Sequence, residues 1–155
     1  HGQGDGRYDI VRLGLNARLD TLQAAVLLAK LPVFEDEIRR RRAVAQRYTK
    51  QLTGLVDTPA QSQGSNSIWA QYTIKLPNRD AVAEALRRQG IPTQIYYPLP
   101  MHLQSAYISY GGGEGSLPIS EQLSREVLAL PIHPYLDHDT IDMICKSLKQ
   151  ALATR

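Results

Sequence analysis

An anion-binding site is indicated where a polar segment turns into an apolar helix near the start of the chain. Asn16 and Arg18 stand just before Asp20, and a strongly apolar run follows. The N-terminus of a helix gathers unpaired backbone N–H groups and a partial positive charge, so it suits a phosphate. Most Asn and Asp residues that precede helices are only caps, so capping is the favoured interpretation, with Asp20 as the predicted cap of the helix. Both interpretations remain open from these residues alone.

A second candidate site is an aromatic loop that follows a short extended run. Tyr96 and Tyr97 end the run, and His102 comes after Pro98 and Pro100. Stiff, polar loops of this kind carry function more often than core segments do. The alternative is that the tyrosine rings only pack on the domain edge while His102 is solvated. The residues do not decide between the two.

Other reactive residues have structural explanations. A metal cluster of His133, Asp142 and residues 137–139 would straddle a helix start, where acidic residues cap and stabilise the helix, so we predict no metal site. The glycine run at 111–115 lacks the Lys-Ser/Thr pair of a phosphate loop and is interpreted as a surface loop. Cys145 falls on an apolar helical stripe, which predicts a core residue. No nucleophile-elbow motif supports a Ser/His/Asp triad.

The elements that position these residues follow from apolar periodicity. A helix over 20–30 is apolar nearly all round, which is typical of a helix that packs on a second surface. Pro32 should end or kink it, and a second helix is predicted over 33–52. Alternation and turn residues then predict strands over 68–76, 93–97 and 129–132, with helices over 79–89, 121–128 and about 138–152. We predict an α/β (α+β sandwich) fold: a short, mainly antiparallel sheet with the later helices on one face, preceded by two long helices.

Charge and composition exclude several classes of function. The run Arg39–Arg42 follows Glu35–Glu37, so acid and base pair at i,i+4 on a solvated helix face, which argues against nucleic acid. The chain has 155 residues, a net charge of +3 and one cysteine, which fits one domain in a reducing cytosol and allows no internal disulfide. No apolar run approaches the roughly 20 residues of a membrane-spanning helix. We therefore expect a cytoplasmic protein with neither a nucleic-acid nor a membrane partner.

Three segments together resemble the DegT/StrS family of sugar aminotransferases, which are pyridoxal-phosphate enzymes of the fold-type I aspartate-aminotransferase architecture. These segments are residues 14–25, 96–102 and 130–134. The resemblance covers essentially the whole chain but only the C-terminal portion of such an enzyme. It is similar to the branch that aminates UDP-linked 2-acetamido-3-keto-glucuronate for surface polysaccharide, that is, lipopolysaccharide or O-antigen.

The resemblance implies a division of the chain and a missing catalytic residue. Residues 1–19 would lead from an absent large domain, residues 20–53 would form interdomain and dimer helices, and residues 54–155 would form the small C-terminal domain. The Schiff-base lysine of the family lies upstream, and no lysine here stands in the family's lysine motif. The isolated chain is therefore expected to be inactive, and the polar start at 1–6 is interpreted as a loop cut from a longer protein.

The resemblance also implies which residues this chain lends to a homodimer with shared active sites. Asn16 matches the residue that reaches the cofactor phosphate of the partner subunit, and Arg18 matches one that meets the nucleotide-sugar. Tyr96 and Tyr97 match a pair, commonly His-Tyr, at the sugar end of that site; the first member is a tyrosine here. His102 is a further substrate-binding candidate. Glutamate is the amino donor that the family implies, and the acceptor is the UDP-linked keto-sugar.

Two alternatives belong to other classes of function. The chain could be a stand-alone interaction domain that dimerises through the apolar helix over 20–30. It could also be an RNA-binding α/β module, which would need exposed aromatic residues along a strand and a basic face. The acid-paired arginines argue against the second alternative.

Overall fold

The computed structural model describes residues 2–6, 8–15 and 19–153. Within these ranges the chain forms four α-helices and two strands, with two single-turn 3-10 helices at Met101–Leu103 and Ile108–Tyr110. In chain order the main elements are α1 (Thr21–Leu52), β1 (Tyr72–Lys75), α2 (Arg79–Arg88), α3 (Pro118–Glu126), β2 (Val127–Leu130) and α4 (His138–Ala153).

One continuous helix of 32 residues, α1, replaces the two long helices that the sequence predicts. Pro32 lies inside it, where the missing N–H leaves the carbonyl of Leu28 without its helical donor. Leu28 is 67% exposed, so water can reach that carbonyl and the helix continues. The predicted cap is confirmed: Asp20 Oδ1 accepts from Gln23 N at 2.9 Å, and Gln23 Oε1 accepts from Asp20 N at 3.1 Å.

The two strands form an antiparallel sheet in which Tyr72 faces Leu130 and Lys75 faces Val127. Single antiparallel bridges extend it on both sides, Asp57 to Lys75 and Gln94 to Ala129. The bridge at Gln94 is all that forms of the strand predicted over 93–97, because Pro92 and Pro98 on either side lack N–H donors. The strand predicted from residue 68 begins only at Tyr72, after Trp69 adopts a left-handed φ of 51°.

The core lies between one side of this sheet and the helices. Burial alternates along β1, as the sequence predicts. Tyr72 and Ile74 are fully buried, whereas Thr73 and Lys75 are only partly buried. The C-terminal half of α1 packs against α4, and α4 packs against α2. Cys145 is fully buried in this core, which confirms the prediction that it is a core residue. Burial raises the pKa of its thiol to about 11, so the group is an unreactive thiol rather than a nucleophile.

The arginine run on α1 is less solvated than predicted. Of the three predicted i,i+4 pairs the structure forms Asp36–Arg40, at 2.6 Å, and Asp36 also binds Arg39. Glu37 instead accepts from the hydroxyl of Tyr135 at 2.9 Å. Arg41 turns inward and donates to the carbonyls of Trp69 and Ile132, so part of the run fastens α1 to the loops around the sheet.

Candidate functional site

A cavity of about 520 Å³ lies beside the aromatic loop. It brings together three of the predicted site residues, Tyr96, Tyr97 and His102. The segment at 8–10 forms another part of its wall, and α3 closes the opposite side through Ser120, Leu123 and Ser124. The predicted aromatic loop therefore borders a space large enough for a small ligand.

The two tyrosines form the aromatic part of the cavity. The ring of Tyr97 stands edge-to-face against Tyr96, with ring centroids 5.8 Å apart, and against Tyr8 at 5.6 Å. Tyr97 keeps 59% of its surface exposed, so it is available to a ligand. A phenol can donate to and accept from a hydroxyl or carboxylate, while its ring covers the apolar face of a sugar.

His102 is turned into the protein, and the solvated alternative for it is wrong. Only 9% of its surface is exposed, and its Nε2 lies 3.0 Å from Oε1 of Glu121. The carboxylate of Glu121 also accepts from the backbone N–H groups of Gly115 and Leu117. His102 thus lines the cavity from a fixed position on the first 3-10 helix, held by α3.

Glu121 is the residue on which several backbone segments converge. The hydrogen bond from His102 is the main cause that lowers its pKa below the ordinary value; the N–H groups of Gly115 and Leu117 add to this, and burial opposes it. The sequence predicts a helix starting at Glu121 with Ser120 as its cap. The helix starts at Pro118 instead, and Glu121 itself accepts the free N–H of Leu117. No sequence signal identified His102 as its partner, because the two stand 19 residues apart.

Two of the predicted site residues, Asn16 and Arg18, lie outside the described residues. The chain on either side of them can be described. Gln23 Oε1 accepts from Leu19 N at 2.6 Å as well as from Asp20 N, so a side chain of α1 itself occupies these two N–H groups and leaves an anion fewer donors at this helix start.

The residues considered as a metal cluster have other partners. Asp137 accepts from the backbone N–H of Thr140 and so caps α4, as the helix-start interpretation predicts. Asp142 accepts from Arg47 and Gln51 of α1. His133 accepts from the N–H of Tyr135. Within the described ranges, no three His, Cys, Asp or Glu side chains come together in a way that could hold a metal ion.

A second cavity, of about 700 Å³, runs along the N-terminal half of α1 and is lined mainly by apolar side chains. The large exposed apolar residues of this half are Leu22, Val26, Leu27, Leu28, Leu31 and Val33, with Phe34 at its end. Such a patch is typical of an interaction surface. Among the described residues, no helix has the combination of length and apolarity that crossing a bilayer requires. On β1, Tyr72 is fully buried, so this strand does not offer the exposed aromatic ring that an RNA-binding sheet needs.

Comparison with known proteins identifies the family. The DegT/DnrJ/EryC1/StrS aminotransferase family matches residues 1–149. The chain is 42% identical to the UDP-2-acetamido-2-deoxy-3-oxo-D-glucuronate aminotransferase of Pseudomonas aeruginosa, over 96% of this chain and 40% of that protein.

Solved structures agree with the sequence comparison. A DegT DnrJ EryC1 StrS aminotransferase from Brucella abortus is 47% identical with a TM-score of 0.80, covering 97% of this chain and 40% of that one. DesV of S. venezuelae is 33% identical with a TM-score of 0.83, covering 98% and 41%. The chain thus spans about two fifths of the length of the relatives it matches. These matches confirm the resemblance and the fold class: the chain belongs to the DegT/DnrJ/EryC1/StrS aminotransferase family.

Proposed function

We propose that this chain is the C-terminal portion of an aminotransferase that moves an amino group from glutamate to a UDP-linked keto-sugar, for lipopolysaccharide or O-antigen. The observation that carries the proposal is the 42% identity, over 96% of the chain, to an aminotransferase whose name specifies a UDP-linked 3-oxo-glucuronate. Pyridoxal phosphate is the cofactor of this family, and when bound it supplies the electron sink through which an amino group is transferred.

The cavity at the aromatic loop is the part of the described chain best suited to the sugar. Its volume of about 520 Å³ lies within the range of small-molecule sites. Tyr96 and Tyr97 offer hydroxyl groups to the polar edge of a sugar and ring faces to its C–H groups. His102 would contact the sugar as part of the cavity wall, because its Nε2 is already hydrogen-bonded to Glu121.

The described residues do not by themselves form a complete cofactor site. A lysine that binds a carbonyl cofactor covalently must reach its unprotonated form, which burial promotes and a neighbouring acid opposes. Lys75 is paired with Asp57 at 2.7 Å, and this hydrogen bond raises its pKa. Lys30, Lys50, Lys146 and Lys149 stand exposed on α1 and α4. The covalent lysine would therefore lie in an upstream large domain.

The proposed contribution of this chain is made across a homodimer interface. Asn16 would bind the cofactor phosphate of the partner subunit, and Arg18 would bind the diphosphate of the nucleotide-sugar, to which a guanidinium is well matched. The exposed apolar surface of α1 supports an interface in this region. In this arrangement residues 1–19 lead from the large domain, residues 20–53 connect and dimerise, and residues 54–155 form the small domain of a cytoplasmic enzyme.

The test is an assay of the full-length enzyme with UDP-2-acetamido-3-keto-glucuronate and glutamate, following 2-oxoglutarate. We expect 2-oxoglutarate to accumulate beyond one equivalent per active site only when both substrates are present, because glutamate alone supports only the first half of the reaction. The 155-residue chain alone should form none. A dTDP-linked 3-keto-sugar is the matched control for the nucleotide, and it should react more slowly. Failure of the full-length enzyme to aminate any nucleotide-linked keto-sugar would refute the proposal.

A second candidate function is supported by α1 alone. Its apolar surface would also suit a stand-alone domain that dimerises without catalysis. A tight dimer of the 155-residue chain, together with a full-length protein that binds neither pyridoxal phosphate nor nucleotide, would favour this candidate.

A further inference from the structure

Gln104 joins two stretches of chain that are far apart in sequence. It follows the first 3-10 helix and is only 6% exposed. Its Oε1 accepts from the backbone N–H of Ile10 at 3.0 Å. Its Nε2 donates to the carbonyl of Tyr8 at 2.9 Å and to that of Leu99 at 3.4 Å. One buried amide therefore holds the segment at 8–10 against the aromatic loop.

The segment that Gln104 holds is part of the cavity wall. Tyr8 and Ile10 line the same space as Tyr96 and Tyr97, and the ring of Tyr8 packs edge-to-face on that of Tyr97. The loop makes two further bonds to this segment, both to the carbonyl of Ile10. One comes from the N–H of Ala106 at 3.1 Å and the other from the hydroxyl of Ser105 at 3.2 Å.

We propose that Gln104 is a positioning residue that fixes this wall of the cavity and so sets the affinity for the sugar, an inference that rests on the proposed function. A primary amide is the side-chain group that presents a donor and an acceptor together at one end without charge. A side chain lacking both would remove the hydrogen bonds that the Ile10 N–H and the Tyr8 carbonyl make to Gln104. Unpaired backbone groups in a part-buried place favour opening of the segment.

The experiment compares variants of the full-length enzyme by hydrogen exchange and by kinetics. Gln104→Met keeps the length of the side chain and removes both hydrogen-bonding functions. Gln104→Glu keeps an acceptor for the Ile10 N–H but sets a carboxylate against the carbonyls of Tyr8 and Leu99, so it should not restore the parental behaviour. Ser105→Ala is the matched control, because it removes a bond to the same segment while Ala106 still donates to the Ile10 carbonyl.

Gln104→Met removes the hydrogen bonds to the Ile10 N–H and to the Tyr8 carbonyl. We therefore expect amides of residues 8–12 to exchange at least about tenfold faster, since a loss of one hydrogen bond already has an effect of this size. The KM for the keto-sugar should rise by up to the same factor, the limit being reached when the open segment predominates, while the KM for glutamate should change little. Exchange in residues 37–52 of α1 should stay at the parental rate, which shows that the domain remains folded. Ser105→Ala should resemble the parent in every measurement.

Two results would overturn the inference. One is parental exchange of residues 8–12 in Gln104→Met, which would show that the amide does not hold the segment. The other is faster exchange with an unchanged KM for the keto-sugar, which would show that the wall does not govern sugar binding. A parent enzyme that aminates no nucleotide-linked keto-sugar would instead refute the proposed function, and the exchange data would still decide whether Gln104 holds the segment.

Discussion

Glu121 and His102 link the aromatic loop to α3 through a buried pair of ionisable side chains. Glu121 also binds the N–H groups of Gly115 and Leu117, so one carboxylate gathers three hydrogen-bond donors from three places in the chain. Removing its charge leaves those donors with a weaker acceptor in a place that water hardly reaches. The position of the loop is therefore expected to depend on this single side chain.

Glu121→Gln should lower the melting temperature of the protein at pH 7. The pKa of Glu121 is lower in the folded protein than in the unfolded chain. Its charged form therefore stabilises the fold fully above the pKa of an unfolded glutamate, and this stabilisation is lost as the pH falls through the pKa of the folded state. The difference in melting temperature between parent and variant should therefore shrink below about pH 4. Glu114→Gln, at an exposed position in the same loop, removes the same charge and is the control. A difference that stays constant between pH 7 and pH 3 would contradict this role.

A substitution at Pro32 tests whether α1 is one continuous helix. Restoring the N–H with Pro32→Ala should raise the free energy of opening this part of the helix by up to about 3 kcal/mol. Hydrogen exchange of residues 28–36 should slow accordingly. Exchange in the packed half of α1, at residues 44–52, serves as the internal control. Unchanged exchange at residues 28–36 would contradict the continuous helix and favour the two separate helices that the sequence predicts.

The sequence located most elements but not their limits. Apolar periodicity identified the packed half of α1 and all of α4, because the buried side chains recur along one face of each helix. The flanking Asn78 and Gly90 identified α2. Apolar periodicity placed a wrong helix boundary at Pro32. This part of α1 is exposed to water, so the helix accommodates a proline that would break a buried helix. Apolar periodicity also failed at residues 93–97, where the flanking prolines leave only the Gln94 bridge.

The candidate site could be predicted only in part, for a physical reason. Tyr96 and Tyr97 stand in a conspicuous loop, and the structure places both at a cavity. Gln104 and Glu121 were missed because their partners are separated from them by long stretches of chain. A buried polar side chain has no periodic signature, and its role depends on which backbone groups the fold brings to it.

At the scale of the whole molecule, the N-terminal half of α1 is the surface through which we propose that the chain associates. Leu28 is among its most exposed apolar residues. In the 155-residue chain, Leu28→Glu should shift sedimentation velocity profiles towards the monomer, because a charge in an apolar interface loses its hydration. Met143→Glu, at an exposed position on α4, should leave the profile unchanged. Equal association of parent and Leu28→Glu would show that this surface is not the one that associates.

In the proposed dimer, this chain lends Asn16 to an active site whose lysine belongs to the other subunit. The most direct measurement mixes two inactive full-length variants, one with Asn16→Ala and one without its cofactor lysine, then reassembles the dimers. Each mixed dimer should contain one intact site. Random reassembly should then recover about one quarter of the parental activity, as expected for an isologous dimer. A mixture that stays as inactive as its components would contradict the claim.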